Sequence, residues 1–129
     1  MFHFIKKSKK IISEISDNIH VSICIPIYDE INRFKTSKQH QNGEDFLNVK
    51  LKQCEELFEE NKKITFNLLL IDDGCPNKTG KFIERYIKDN NIEKSNVIYL
   101  EDCIKNGIFR NINNVNESRK GGAIYYGLY

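Results

Sequence analysis

Three short apolar runs punctuate an otherwise polar chain: VSICIPI at 21–27, FNLLLI at 66–71 and NVIYL at 96–100. Each is too short for a free-standing helix and lacks strict alternation. Such runs suit strands buried on both faces, as in a parallel sheet. Between the first two, residues 44–60 (EDFLNVKLKQCEELFEE) place Leu47, Leu51, Cys54 and Phe58 at i, i+4, i+7 and i+11. That spacing is one apolar stripe of an amphipathic helix. The acidic start at Glu44 and Asp45 complements the helix dipole. A second helix is predicted from Thr79 to Lys88, where Phe82, Ile83, Tyr86 and Ile87 share a face.

The order is strand, helix, strand, helix, strand, then a loop and a helix start at 119–129. Alternation of this kind implies βαβ units with right-handed crossovers. The expected fold class is α/β, a Rossmann-like, mostly parallel sheet with flanking helices. Two polar stretches, 31–43 and 104–118, read as long surface loops. Residues 1–20 read as a basic helix or extension, with an amphipathic helix over 2–16. A solvated basic helix is the simpler reading of it; contact with an anionic membrane surface is the other.

Composition narrows the picture. The 129 residues suit one domain, and 40% hydrophobic with 29% charged residues permits a packed core. Twenty basic against 18 acidic residues leave a net charge of +2, which argues against nucleic acid as a partner. Cys24, Cys54, Cys75 and Cys103 include no CxxC pair, so no zinc site is expected. The N-terminus lacks the apolar stretch of a secretory signal, and no window approaches a membrane span. A reduced, cytoplasmic setting is the simplest expectation.

Candidate chemistry concentrates at strand ends, where open parallel sheets bind ligands. The first run ends in Pro26–Glu30, the second in Asp72, Asp73 and Gly74, the third in Glu101 and Asp102. A carboxylate there can accept hydrogen bonds from a ribose diol or a base N–H, and Tyr28 offers a flat face for stacking. The competing reading is that Asp72 and Asp73 cap the following turn and helix. A fourth cluster, SRKGGAIYYG at 118–127, puts Arg119 and Lys120 before two glycines. Read as a helix start, it offers N–H groups and cations to a phosphate. It matches neither a Walker A loop nor GxGxxG.

Taken in order, VSICIPIYDE, LLLIDDGCPNKTG and SRKGGAIYYG resemble the family-two nucleotide-sugar glycosyltransferases of the GT-A fold, with Asp29 where that family usually has Asn and Cys75 in its serine position. The resemblance covers residues 21 to 127. It implies that Pro26 and Tyr28 line the nucleobase pocket, with Glu30 near the base or ribose. It implies that Asp73 binds the base and Asp72 supports that loop, while Lys120 and Gly121 lie near the ribose and diphosphate. It further implies a nucleoside diphosphate sugar as partner and Mg2+ or Mn2+ as cofactor. That metal is held by a DxD motif on a later strand, and no Asp-x-Asp occurs in this chain. Residues 21–129 are therefore expected to form the N-terminal, donor-binding half of the fold, truncated before the DxD strand. A second chain completing the fold is a further expectation, and no catalytic residue is assigned. A non-catalytic nucleotide-binding or interaction module is the alternative function, and an inactive remnant the blandest one. An unrelated flavodoxin-like domain would require a strand order other than 3-2-1-4.

Overall fold

The computed structural model describes residues 2–109 and 112–128, the side chains of 2–5 and 119–121 excepted. Its elements are α1 (Phe2–Ser13), β1 (Ile19–Ile27), α2 (Ile31–Phe34), α3 (Phe46–Phe58), β2 (Ile64–Asp72), α4 (Thr79–Asp89), β3 (Ser95–Tyr99), α5 (Leu100–Lys105) and α6 (Val115–Leu128). The three strands form one parallel sheet in the order β1-β2-β3. With β2 in the centre this is the 3-2-1 half of a doubly wound sheet. A flavodoxin order would place the first strand between the second and third.

Strand alternation explains how one apolar run serves two layers. Leu68 and Leu70 of β2 are fully buried against Leu47 of α3 and Ile83 of α4, joined by Ile23, Ile25 and Ile27 of β1. The intervening side chains point the other way. There a Cβ on Gly127 would lie 2.5 Å from Ile71 Cδ1 and 2.8 Å from Cys24 Sγ, so α6 packs its glycine directly onto the sheet. Truncating Leu68 or Leu70 to alanine removes a core side chain at a cost of about 2–5 kcal/mol.

The predicted α3 stripe is confirmed. Leu47 is buried, Leu51 and Cys54 pack against the same core, and the Phe58 ring lies 5.6 Å from that of Phe66. In β1, Pro26 sits opposite Ile71. Among the described residues β1 pairs with β2 alone, and an edge strand tolerates a residue without an N–H.

Several expected boundaries move. The stretch 31–43 is not loop throughout: α2 occupies its start and buries Phe34, whose ring meets Phe46 edge-on at 5.3 Å. The stretch 104–118 shrinks to residues 106–114, because α5 runs to Lys105 and α6 begins at Val115. The third strand ends at Tyr99, so Glu101 and Asp102 stand in the first turn of α5 and are exposed. Acids suit that position, where they face the positive end of the helix dipole. The helix expected to start near 119 starts four residues earlier. Asn114 Oδ1 accepts the Asn116 N–H at 3.0 Å, and Glu117 Oε2 accepts the Asn113 N–H at 2.9 Å. This reciprocal cap fixes the helix start at Val115. The segment SRKGG therefore lies inside α6, where backbone N–H groups bond within the helix and are not available to a phosphate.

Candidate functional site

Ile27 and Asp72 are register partners at the carboxyl ends of β1 and β2. Tyr28 and Asp73 thus leave the sheet side by side, and the Asp73 N–H donates to Ile27 O at 3.2 Å. The two adjacent aspartates then part company. Asp72, 5% exposed, continues the face that carries Leu70 and turns toward α4. Its Oδ1 accepts the Cys75 N–H at 2.8 Å and its Oδ2 the Gly80 N–H at 2.7 Å. Both oxygens are spent closing the turn and the first turn of α4. Gly80 is required here, since a Cβ would sit 2.4 Å from Asp72 Oδ2.

Asp73 points to the α6 side. Its Oδ1 accepts the Ser118 Oγ–H at 3.1 Å, and Oδ2 has no hydrogen-bond donor among the described residues. Partial burial raises its pKa above the ordinary aspartate value, and the charge of Asp72 adds to this; the Ser118 hydroxyl opposes both. A half-desolvated carboxylate with an oxygen to spare gains from any ligand that brings it an N–H or O–H.

The connecting loop is rigidly held. Gly74 takes φ +76°, and its missing Cβ makes room for Val115 at the start of α6. Cys75 Sγ accepts the Asp29 N–H at 3.0 Å, and Thr79 Oγ1 lies 2.8 Å from it. Asp29 itself has φ +53°, a left-handed conformation that Asn and Asp tolerate better than most residues. The Asn77 side-chain amide donates to its carboxylate, tying the β1 loop to the β2 loop.

A cleft of about 660 Å3 opens beside this loop. The β2–α4 segment contributes Asp72, Gly74, Cys75, Pro76 and Lys78, and α4 adds Lys81. Tyr99 and Glu101 come from the end of β3 and the start of α5, and Val115 from α6. Lys81 Nζ lies 4.4 Å from the Tyr99 ring centroid and 3.1 Å from Glu84 Oε2, which also accepts the Tyr99 hydroxyl at 3.2 Å. Burial raises the Tyr99 pKa, so the phenol stays protonated as a donor.

Of the expected site residues, Asp72 lines this cleft, and its carboxylate serves the fold. Tyr28 is 56% exposed beside the loop, whereas Pro26 is half-buried within β1. The Glu30 carboxylate pairs with Arg33 at 2.9 Å, and Arg33 also reaches Glu44 at 3.1 Å. Arg119, Lys120 and Gly121 fall on α6, and their side-chain positions lie outside the described residues. Sequence reading missed Lys78, Lys81 and Tyr99, whose types carry no spacing signal. It also gave Ser118 no role, although the residue stands in a quoted motif.

No group of three or more His, Cys, Asp or Glu side chains converges on a potential metal position among the described residues. The paired aspartates cannot start one, because Asp72 and Asp73 point to opposite faces of the sheet. Among those residues no helix is long and apolar enough to cross a membrane.

Comparison with known proteins gives one relationship of note. The chain is 27% identical over 112 residues to a dolichyl-phosphate beta-glucosyltransferase of Dictyostelium discoideum, which covers 87% of this chain and 27% of that protein. It thus spans about a quarter of the length of the curated relative it matches. No protein-family model and no solved structure matches the chain. The similarity supports a distant relationship to glycosyltransferases.

Proposed function

We propose that this chain is a glycosyltransferase-like domain that binds a nucleoside diphosphate sugar at the carboxyl edge of its sheet, for transfer of the sugar to an acceptor. The observation that carries the reading is Asp73, a half-buried carboxylate with an unoccupied oxygen at the junction of β1, β2 and α6. A ribose diol or base N–H satisfies that oxygen, Tyr28 beside it supplies a stacking surface, and the cleft offers Lys78 and Lys81 to an anionic group. The distant likeness to a glucosyltransferase points to a sugar nucleotide among the ligands this chemistry admits. In this reading Lys120 and Gly121, two and three positions beyond Ser118 on α6, lie toward the ribose and diphosphate, and Pro26 backs the base. Glu30 contributes through its ion pair with Arg33.

The Mg2+ or Mn2+ that the resemblance implies does not fit the residues in hand, since the described acids form no ligand set. No catalytic step is routed through a metal, and no catalytic residue is assigned. The same observation favours a second reading, a nucleotide-binding module that does not itself transfer sugar.

Titration calorimetry with UDP-, GDP- and ADP-glucose, with and without Mn2+, tests the proposal. Binding by the wild-type chain and a loss of about tenfold or more in Asp73→Asn are expected, the cost of one charge-assisted hydrogen bond. Affinity for none of the three, or equal affinity in the variant, would sink it. Sugar transfer or hydrolysis by the chain would dismiss the module reading.

A further inference from the structure

The basic N-terminal helix plays no part in the site above, and the structure shows which of its faces is committed. Its twelve residues, FHFIKKSKKIIS, contain four lysines and no acid. One side is tied to the body of the protein. The Asn61 side-chain amide donates to Ile12 O at 2.8 Å and to Ile15 O at 3.0 Å, and Lys63 Nζ donates to Ser16 O at 2.7 Å. Lys9 pairs with Glu59 at 2.8 Å, and Glu56 and Glu60 add their charge on that inward side.

The opposite side is uncovered. At 100° per residue Lys6, Lys10, Lys7 and Ile11 follow one another around an arc of roughly 140°. All four are exposed, Ile11 by 55%, and none of the three lysines makes an ion pair among the described residues. An isoleucine held in water among unpaired lysines is a poor solvated face. It matches a surface that offers negative headgroups to the lysines and an apolar boundary to the isoleucine.

We propose that α1 is a docking surface for an anionic lipid bilayer, with Lys6, Lys7 and Lys10 meeting the headgroups and Ile11 entering the acyl boundary. The choice of bilayer over nucleic acid rests on Ile11, since a phosphate backbone gives an aliphatic side chain nothing to contact. The attachment is electrostatic and reversible, because three lysines and one aliphatic side chain fall well short of a permanent anchor. Asn61 and Lys63 pin the helix near the edge where β2 begins, away from the carboxyl edge that carries the cleft. Attachment through α1 therefore leaves the cleft open to solution.

Flotation of the 129-residue chain with vesicles of phosphatidylcholine alone or with 30% phosphatidylserine decides the matter. Binding to the anionic vesicles only is expected, lost in 0.5 M NaCl. Charge reversal by K6E/K7E/K10E should weaken it by roughly a hundredfold or more, at about fivefold for each lysine lost. Ile11→Ser should weaken it several-fold while leaving the salt dependence in place. Unchanged melting temperatures and circular dichroism would show that the variants fold. Equal binding to neutral and anionic vesicles, or full binding by the triple variant, would overturn the proposal. So would preferential binding of a 20-bp DNA duplex, which would transfer the surface to nucleic acid.

Discussion

Helices α4 and α6 both border the cleft, and their first turns are closed in opposite ways. Lys78, the residue before α4, has φ +55° and offers no side-chain cap. The Gly80 N–H goes instead to Asp72 Oδ2, eight residues back, and the Thr79 N–H approaches Cys75 Sγ at 3.4 Å. The start of α4 is thus completed by the end of the preceding strand. The start of α6 is self-sufficient, with Asn113, Asn114, Asn116 and Glu117 exchanging hydrogen bonds within five residues. A cap borrowed from a strand couples helix to sheet, so that neither is fully formed without the other. A cap made within the helix's own first turn does not. The residue fixed by the first arrangement, Asp72, has both oxygens engaged in the fold, while its neighbour Asp73 keeps one without a donor among the described residues.

The comparison breaks if the two caps contribute equally. Asp72→Ala leaves two N–H groups without their charged acceptor and should cost about 3 kcal/mol or more in urea denaturation, at 1.5–3 kcal/mol for each bond to a charged group. A loss below about 1 kcal/mol would mean that the α4 cap is not structural.

Gly80→Ala sharpens the same point, because helix propensity alone says it should stabilise. Its Cβ would stand 2.4 Å from Asp72 Oδ2 and 2.8 Å from Tyr99 Cε1, so we expect a loss of about 1–3 kcal/mol from overpacking. A rise in melting temperature would contradict the close approach.

At α6, Asn114→Ala should cost about 1 kcal/mol, the usual value of an N-cap side chain. The loss should be no larger in the intact protein than in a peptide spanning residues 112–128, since every partner is local. A much larger loss in the protein would show that this cap, too, is tied to the sheet.

The smallest effect separates the two aspartates by charge. Burial, and then the charge of Asp72, raises the Asp73 pKa above 3.8. The folded state therefore holds that proton more tightly than the unfolded chain does. The stabilising contribution is complete below the unfolded value and disappears as pH rises through the folded one. At pH 7 the ionised Asp73 carries a cost that Asp73→Asn removes, so the variant should be at least as stable as the wild type there. The gap should close as the pH falls below about 4, the ordinary aspartate range. Urea midpoints at pH 3, 5 and 7 test this; a variant that is less stable at pH 7 refutes it.

Much of this fold was legible because its signals are short-range. The runs ending at Ile27, Asp72 and Tyr99 are apolar where a doubly covered sheet requires it, and the Leu47–Phe58 stripe marks α3 without reference to anything else. The Asn114–Glu117 cap was equally local, and the spacing N-x-x-E could have placed the start of α6 at Val115. Reading 104–118 as one loop hid it. That misplacement turned SRKGG, which lies within α6, into a helix start with free N–H groups.

What the sequence by itself determined is the set of elements and the faces they bury, since periodicity follows from the geometry of a single strand or helix. It also confined the candidate chemistry to the carboxyl edge. Only the tertiary structure decided what each residue does there. Strand alternation at the end of β2 sends two adjacent aspartates to opposite layers, one to close α4 and the other to Ser118 of α6. Folding likewise brings Tyr99 to the cleft that Lys78 and Lys81 line, from a position with no spacing rule to either. The physical reason is range: a hydrogen bond across eight or 45 residues leaves no periodic trace in the chain that makes it.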